Sequence, residues 1–204
     1  MDLPLVPDGR ELPLLRRERP ERSDAAHNRE VLLRAAQELV EERGVAAVTM
    51  DEVARRACVG KGTLFRRFGT REGLMAQLLD HSEREWQAQV IGGPPPLGPG
   101  APPMERLLAF GRSRVTLNLH HAELIEAARH PAARSFGALS FTTMHVRYLL
   151  EQLGVRGDVP YLATALVAPL EMIVLRQQVN SEQVPLQRIQ AGWEDLVRRV
   201  VTDR

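Results

Sequence analysis

The 204-residue chain reads as all-α. Apolar residues recur at i, i+3, i+4 and i+7 in one segment after another, the period of an amphipathic helix. No stretch shows the strict alternation of a half-buried strand. Helix-start residues (Thr49, Thr70, Asp158) and helix-stop glycines (Gly44, Gly154) fall at the ends of the periodic segments. The length allows one or two modest domains with a real core.

Taken in order, residues 1–22 are rich in proline and charge, without periodicity, and are expected to form a disordered arm. Arg16, Arg17, Arg19 and Arg22 suit phosphates or a minor groove, but the interleaved Glu11, Glu18 and Glu21 favour a plain solvated tail. A first helix over 24–43 places Leu32, Ala35, Ala36, Leu39 and Val40 on one face and stops at Gly44, with Arg29 and Arg34 off that face. Thr49 with Glu52 forms a capping box, so a short helix starts at Met50 and turns Val53, Ala54 and Ala57 inward. Cys58, Val59 and Gly60 interrupt it. Gly60 stands as the N-cap of a second short helix over 61–68. Leu64 and Phe68, four apart, face the core together. Lys61, Thr63 and Arg67 are left outward, with Phe65 at the edge.

Two short helices joined by so tight a turn make a helix-turn-helix, whose second helix fits the DNA major groove. Charge agrees. Between Glu52 and Glu72 lie six basic residues (Arg55, Arg56, Lys61, Arg66, Arg67, Arg71) and no acidic one, in a chain of net charge +1. Such a local patch suits phosphate binding with counterion release. A solvated helical face is the plainer reading of a charge run. Against it stand the coincidence of the patch with the helix-turn-helix and the small Gly62 and Thr63, which allow close backbone approach.

Thr70 caps a fourth helix opened by Arg71 and Glu72, whose N-terminus is a seat for a phosphate. Residues 92–103, nearly all glycine and proline, are expected to be a loop separating the operator-binding part from a larger helical part. Helices are then expected over 104–120, over 121–130 up to Pro131, and over 136–153. Another starts at Asp158, with Leu162, Leu166, Leu170 and Ile173 on one stripe and a kink at Pro169. The last opens at Pro185 and is lined by Leu186, Ile189, Trp193, Leu196, Val197 and Val200.

The segment REVLLRAAQELVEERG followed by TMDEVARRACVGKGTLFRRFGTREGL resembles the DNA-binding end of the tetracycline-repressor (TetR) family of transcription regulators. Thr49, Ala54, Val59, Gly62, Thr63, Leu64, Phe65, Phe68, Glu72 and Leu74 match the family pattern. The resemblance covers roughly 27–80 in detail and the rest in architecture only. Cys58 stands where the family usually has a turn glycine, Gly60 where it has an N-cap serine, and Phe65 where it has a tyrosine. Arg67 replaces a frequent histidine or tyrosine, and Arg71 a frequent lysine. These departures leave DNA binding in place and take the operator sequence out of reach.

The resemblance implies a three-helix DNA-binding domain over 23–80 and a helical ligand-binding and dimerisation domain over 81–204. It further implies a homodimer on a palindromic DNA operator, its two reading helices roughly 34–36 Å apart. A small-molecule effector would release such a repressor from DNA. Lys61, Gly62 and Thr63 are expected at base edges, Thr49, Phe65, Arg67 and Arg71 on the backbone, and Gly60 and Arg66 on the same face. Leu166, Ile173, Ile189, Trp193, Leu196 and Val200 are the expected dimer contacts; the alternative is that both stripes face the chain's own core. Phe110, Arg114, Leu117, His121, Phe141, Met144, His145 and Tyr148 are the candidate effector-pocket lining, though such spacing also marks plain core. Glu171 would answer a cationic ligand or pair with an internal arginine.

Other chemistries fare worse. His120 and His121 point to different helix faces and lack a second pair at i+4, so no metal is expected. Cys58 is either a thiol activated by Arg55 and Arg56 or a small buried core residue. There is no phosphate loop, nucleophile elbow or zinc-protease pair, so neither an enzyme nor a cofactor is expected. A helical adaptor would use the C-terminal stripes but leave the basic helix idle. A single cysteine, and no run near the ~20 apolar residues of a membrane span, point to a cytoplasmic protein without a membrane partner.

Overall fold

The computed structural model describes residues 20–128 and 136–202, and no strand occurs among them. The helices are α1 (Pro20–Arg43), α2 (Met50–Arg56), α3 (Lys61–Phe68), α4 (Arg71–Gly92), α5 (Pro103–His120), α6 (Ala122–Ala127), α7 (Phe136–Gln152), α8 (Val159–Val167), α9 (Met172–Arg176) and α10 (Leu186–Thr202). Short 3-10 turns at Val45–Ala47 and Ala168–Leu170 and a π-turn at Gln177–Ser181 lie between them. Helix α1 starts at Pro20, so the last residues assigned to the arm are helical; residues 1–19 lie outside the described residues, as do Pro131 and the chain around it.

Two apolar cores form. The first gathers Leu32, Leu33, Ala36 and Leu39 of α1, Val53 and Ala54 of α2, Leu64 and Phe68 of α3, and Leu74, Met75 and Leu78 of α4. Leu124 of α6 joins it. The second gathers Trp86 and Val90 of α4 with residues of α5, α7, α8 and α10, among them Phe110, Leu149, Leu166 and Trp193. Helix α4 therefore serves both cores, and the domain boundary placed at 80 falls inside one uninterrupted helix. The glycine-proline stretch does not separate the two parts. It is the folded connection between α4 and α5, packed closely enough that a Cβ on Gly98 would lie 1.8 Å from the Gly93 carbonyl oxygen.

The stretch after Asp158 departs from the expected single kinked helix. Pro169 lacks the N–H that would continue the ladder, and Glu171 is extended (φ −70°, ψ 143°). The break changes the helical phase. Leu166 and Leu170 are buried, whereas Ile173, expected on the same stripe, is 81 % exposed and its neighbours Met172 and Leu175 turn inward. Other elements hold the break: Asn118 Nδ2 of α5 donates to the Leu170 carbonyl at 2.6 Å, and Trp193 Nε1 of α10 donates to the Leu166 carbonyl at 2.7 Å. Contrary to the expectation, Val159–Ser181 is long and apolar enough to cross a membrane by length and composition alone, yet only 33 % of its most apolar window is buried in the chain. Proline, Glu171 and Arg176 interrupt it, and its buried third is ordinary core.

Helix α10 turns Ile189, Trp193, Val197 and Val201 inward at a four-residue spacing. The Trp193 ring lies against bare backbone at Gly111 of α5, where a Cβ would sit 2.0 Å from it. Gly111→Ala should therefore overpack the α5–α10 seam and lower stability by about 1–3 kcal/mol, read as a lower denaturant midpoint at unchanged slope. An unchanged midpoint would show that the ring relocates freely.

Candidate nucleic-acid interface

Local chemistry builds the α2–α3 unit. The Thr49 hydroxyl accepts from the Glu52 N–H at 3.3 Å, and the Glu52 carboxylate accepts from the Thr49 N–H at 3.2 Å, closing the capping box. The Thr49 hydroxyl, which also donates to that carboxylate at 2.9 Å, and then the Thr49 N–H hold the Glu52 carboxyl below its ordinary range. The box is thus intact at neutral pH and loosens as pH falls through that carboxyl's lowered pKa. Cys58 carries the turn with φ +55°, a conformation most side chains avoid and glycine adopts freely. It is exposed, so the buried-core reading of this thiol is overturned; the turn's geometry, not core packing, places it there. The Val59 N–H donates to the Ala54 carbonyl at 3.0 Å, and Val59 packs on the first core.

Helix α3 buries Leu64 and Phe68 and turns Lys61, Gly62, Phe65 and Arg66 to solvent, with Thr63 and Arg67 partly covered. The exposed face is cationic, but its charges are unequal in availability. Lys61 Nζ contacts Asp51 at 2.5 Å in an open ion pair. Arg56 bonds both carboxylate oxygens of Glu42 (2.8 and 2.7 Å) and also Glu38, so it ties α2 to α1. Arg67 has an interaction partner of its own. Arg71, expected on a DNA phosphate, donates instead from Nε to the Val48 carbonyl at 2.8 Å and from Nη2 to the Val45 carbonyl at 2.5 Å. Through these two nitrogens it fastens the turn between α1 and α2 to α4. Thr49 is engaged by its own cap. Arg55 and Arg66 are exposed with no ion pair among the described residues. A Cβ on Gly62 would meet nothing within 4 Å, so no internal packing requires glycine there.

The candidate effector residues do not converge on one cavity. Phe110, Arg114, Phe141 and His145 meet between α4, α5 and α7. Phe110 stacks on His145 at 5.1 Å, Phe141 on the same ring at 6.0 Å, and Arg114 lies 4.7 Å over Trp86. Arg114, almost fully buried, bonds both oxygens of Glu83 at 2.9 and 2.7 Å. Leu117 and His121 line a separate cavity of about 240 Å³ between α1, α4, α5 and α6. Met144 and Glu171 line a groove of about 580 Å³ between α7 and α8, and Tyr148 is largely exposed. Among the described residues no group of three metal-ligating side chains occurs. Of the expected dimer contacts, Leu166, Ile189 and Trp193 are 1 %, 8 % and 4 % exposed and pack in the chain's own core, while Ile189 and Trp193 also line a surface groove of about 340 Å³ with Leu196. Ile173 and Leu196 are exposed and Val200 partly so.

Comparison with known proteins agrees with this geometry. Residues 32–78 match the family described as bacterial regulatory proteins, tetR family. The HTH-type transcriptional repressor Rv3405c of Mycobacterium tuberculosis is 44 % identical over 50 residues, 24 % of this chain and 27 % of the relative, so the match spans little more than a quarter of that protein. A TetR-family transcriptional regulator from Pectobacterium atrosepticum superposes with a TM-score of 0.69 over 88 % of this chain and 96 % of its own, at 21 % identity. A protein from Saccharomonospora viridis, solved in complex with choline, superposes with a TM-score of 0.60 over 85 % of this chain and 96 % of its own, at 17 % identity. The chain thus carries a tetR-family helix-turn-helix at its N-terminal end, set within the fold of TetR-family regulators.

Proposed function

We propose that this chain is a ligand-responsive transcriptional repressor that binds a palindromic operator as a homodimer in the cytoplasm and leaves it when a small molecule binds the helical C-terminal part. The observation that carries the reading is the exposed cationic face of α3, held out by the burial of Leu64 and Phe68. Lys61, Gly62 and Thr63 approach base edges, with Phe65 offering an apolar edge to a thymine methyl. Arg55, Arg66 and Arg67 track phosphates. Arg71 acts indirectly, by fixing the turn before α2 against α4. The similar repressor from M. tuberculosis favours the negative sign of regulation, and the choline complex of the S. viridis protein favours a small-molecule effector.

A single α2–α3 unit covers few base pairs, which favours two copies on one duplex face. The exposed apolar face at Ile173 and Leu196 is the surface on which a second copy would pack. An adaptor that used only this face would have no need of the cationic helix.

A random-sequence duplex pool selected on the full chain should yield an enriched palindrome. On that duplex, Arg66→Ala should weaken binding to all sequences alike and reduce the salt slope by about one unit. Gly62→Ala should keep or raise thermal stability, because the space around it is open, yet weaken duplex binding by obstructing close approach. Ile173→Glu should convert a dimer to a folded monomer in light scattering. No enrichment from the pool, together with an unchanged salt slope for Arg66→Ala, would reject the repressor reading. A dimer that survives Ile173→Glu would move the interface elsewhere.

A further inference from the structure

Among the described residues, four buried side-chain polar atoms lack a hydrogen-bond partner: Arg106 Nε, Arg114 Nε, His145 Nε2 and Gln178 Oε1. The first three share one neighbourhood. Arg106, Phe110 and Arg114 lie at i, i+4 and i+8 of α5, so the two guanidinium stems flank the Phe110 ring one turn to either side. His145 of α7 stacks on that ring at 5.1 Å and is only 9 % exposed. Buried polar groups are nearly always satisfied, and leaving one unpaired costs roughly 1–3 kcal/mol, more beside a charge. Three orphans around one ring are therefore not a packing accident to be expected of a settled core.

All three are suited to donating. Each guanidinium Nε carries a hydrogen, and a neutral imidazole carries one on either ring nitrogen. His145 is neutral at physiological pH: burial, and then the Arg106 charge, hold it down to about 4. The charge balance points the same way. Glu83 matches Arg114. No carboxylate among the described residues pairs with Arg106, which leaves an unmatched, partly buried positive charge one helical turn from Phe110 and close enough to act on His145; the Phe110 ring in turn meets Trp86 at 5.1 Å.

We propose that the α5–α7 seam around Phe110 binds the carboxylate of a small acid with a flat apolar body. This inference rests on the effector reading above and gives that effector a chemical class. The carboxylate meets Arg106 and His145, and its apolar body lies against the rings. Arg114 connects the site to α4, because an oxygen reaching Arg114 Nε shares the guanidinium that holds Glu83.

The test uses the full chain with three probes of matched body: benzoate, benzyl alcohol and benzylammonium. Calorimetric titration should show benzoate binding, with the alcohol and the ammonium weaker by about tenfold or more, the value of one charge-assisted hydrogen bond. Arg106→Gln should remove the preference for benzoate while leaving the melting temperature of the unliganded protein close to its starting value, since Arg106 anchors no other group among the described residues. His145→Phe, which keeps the stack, should weaken benzoate alone. Equal response to the three probes, no benzoate binding, or an unaltered preference in Arg106→Gln would overturn the anion site. Duplex binding measured on the same samples separates the two readings: a chain that binds its selected duplex but shows no benzoate preference loses the anion site only, and a chain that binds no duplex loses the regulator reading.

Discussion

The structure depends on one helix belonging to two cores. The first turns of α4 complete the small core beneath α3 through Leu74, Met75 and Leu78, and its last turns enter the larger core through Trp86 and Val90. A helix is stiff over this length, so whatever moves its C-terminal half must be felt at its N-terminal half. Two fastenings fix its course. Arg71 clamps its first turn to the carbonyls of the α1–α2 connection. The buried Arg114–Glu83 pair, roofed by Trp86, clamps its middle to α5. A buried pair of this kind contributes little net stability against a well-packed apolar substitute, but breaking it by removing one partner is costly, about 3–5 kcal/mol. Such a contact is suited to specifying a helix position rather than to adding stability.

The α2–α3 unit was legible in the sequence because its determinants are local. The Thr49–Glu52 box, the Gly60 cap and the Leu64–Phe68 pair each act across three or four residues, and each appears in the structure as its spacing implies. The roles of individual cations were not legible. Whether Arg71 faces a phosphate or a carbonyl is decided by the course of chain 23 and 26 residues earlier. Arg56 likewise meets Glu42 and Glu38 only because α1 crosses α2. Cys58 was misjudged for another reason: residue type argued for burial, while the αL backbone of the turn argued for exposure, and the backbone prevailed.

In the larger half, helical periodicity found the helices but not their partners. A stripe on the sequence is blind to which neighbour it faces; Leu166, Ile189 and Trp193, assigned to a partner, pack in the chain's own core as well. The break at Pro169–Glu171 then shifted the phase, carrying Ile173 from the expected stripe to the open surface. The same blindness scattered the effector candidates over a cluster, a cavity and a groove. What the pattern did locate was the aromatic group around Phe110, whose unpaired nitrogens are visible only with coordinates.

The chain's two tryptophans sit at the two seams just described, Trp86 where α4 meets α5 and Trp193 where α10 meets α5 and α8. Each indole N–H is bonded, Trp86 to the Ser113 hydroxyl at 3.1 Å and Trp193 to the Leu166 carbonyl at 2.7 Å. One indole also lies beneath a guanidinium, while the other rests on bare glycine backbone. The molecule therefore carries a pair of native optical probes in unlike surroundings. Emission from the first follows any parting of α4 from α5, and emission from the second follows the integrity of the helical half, with no label attached.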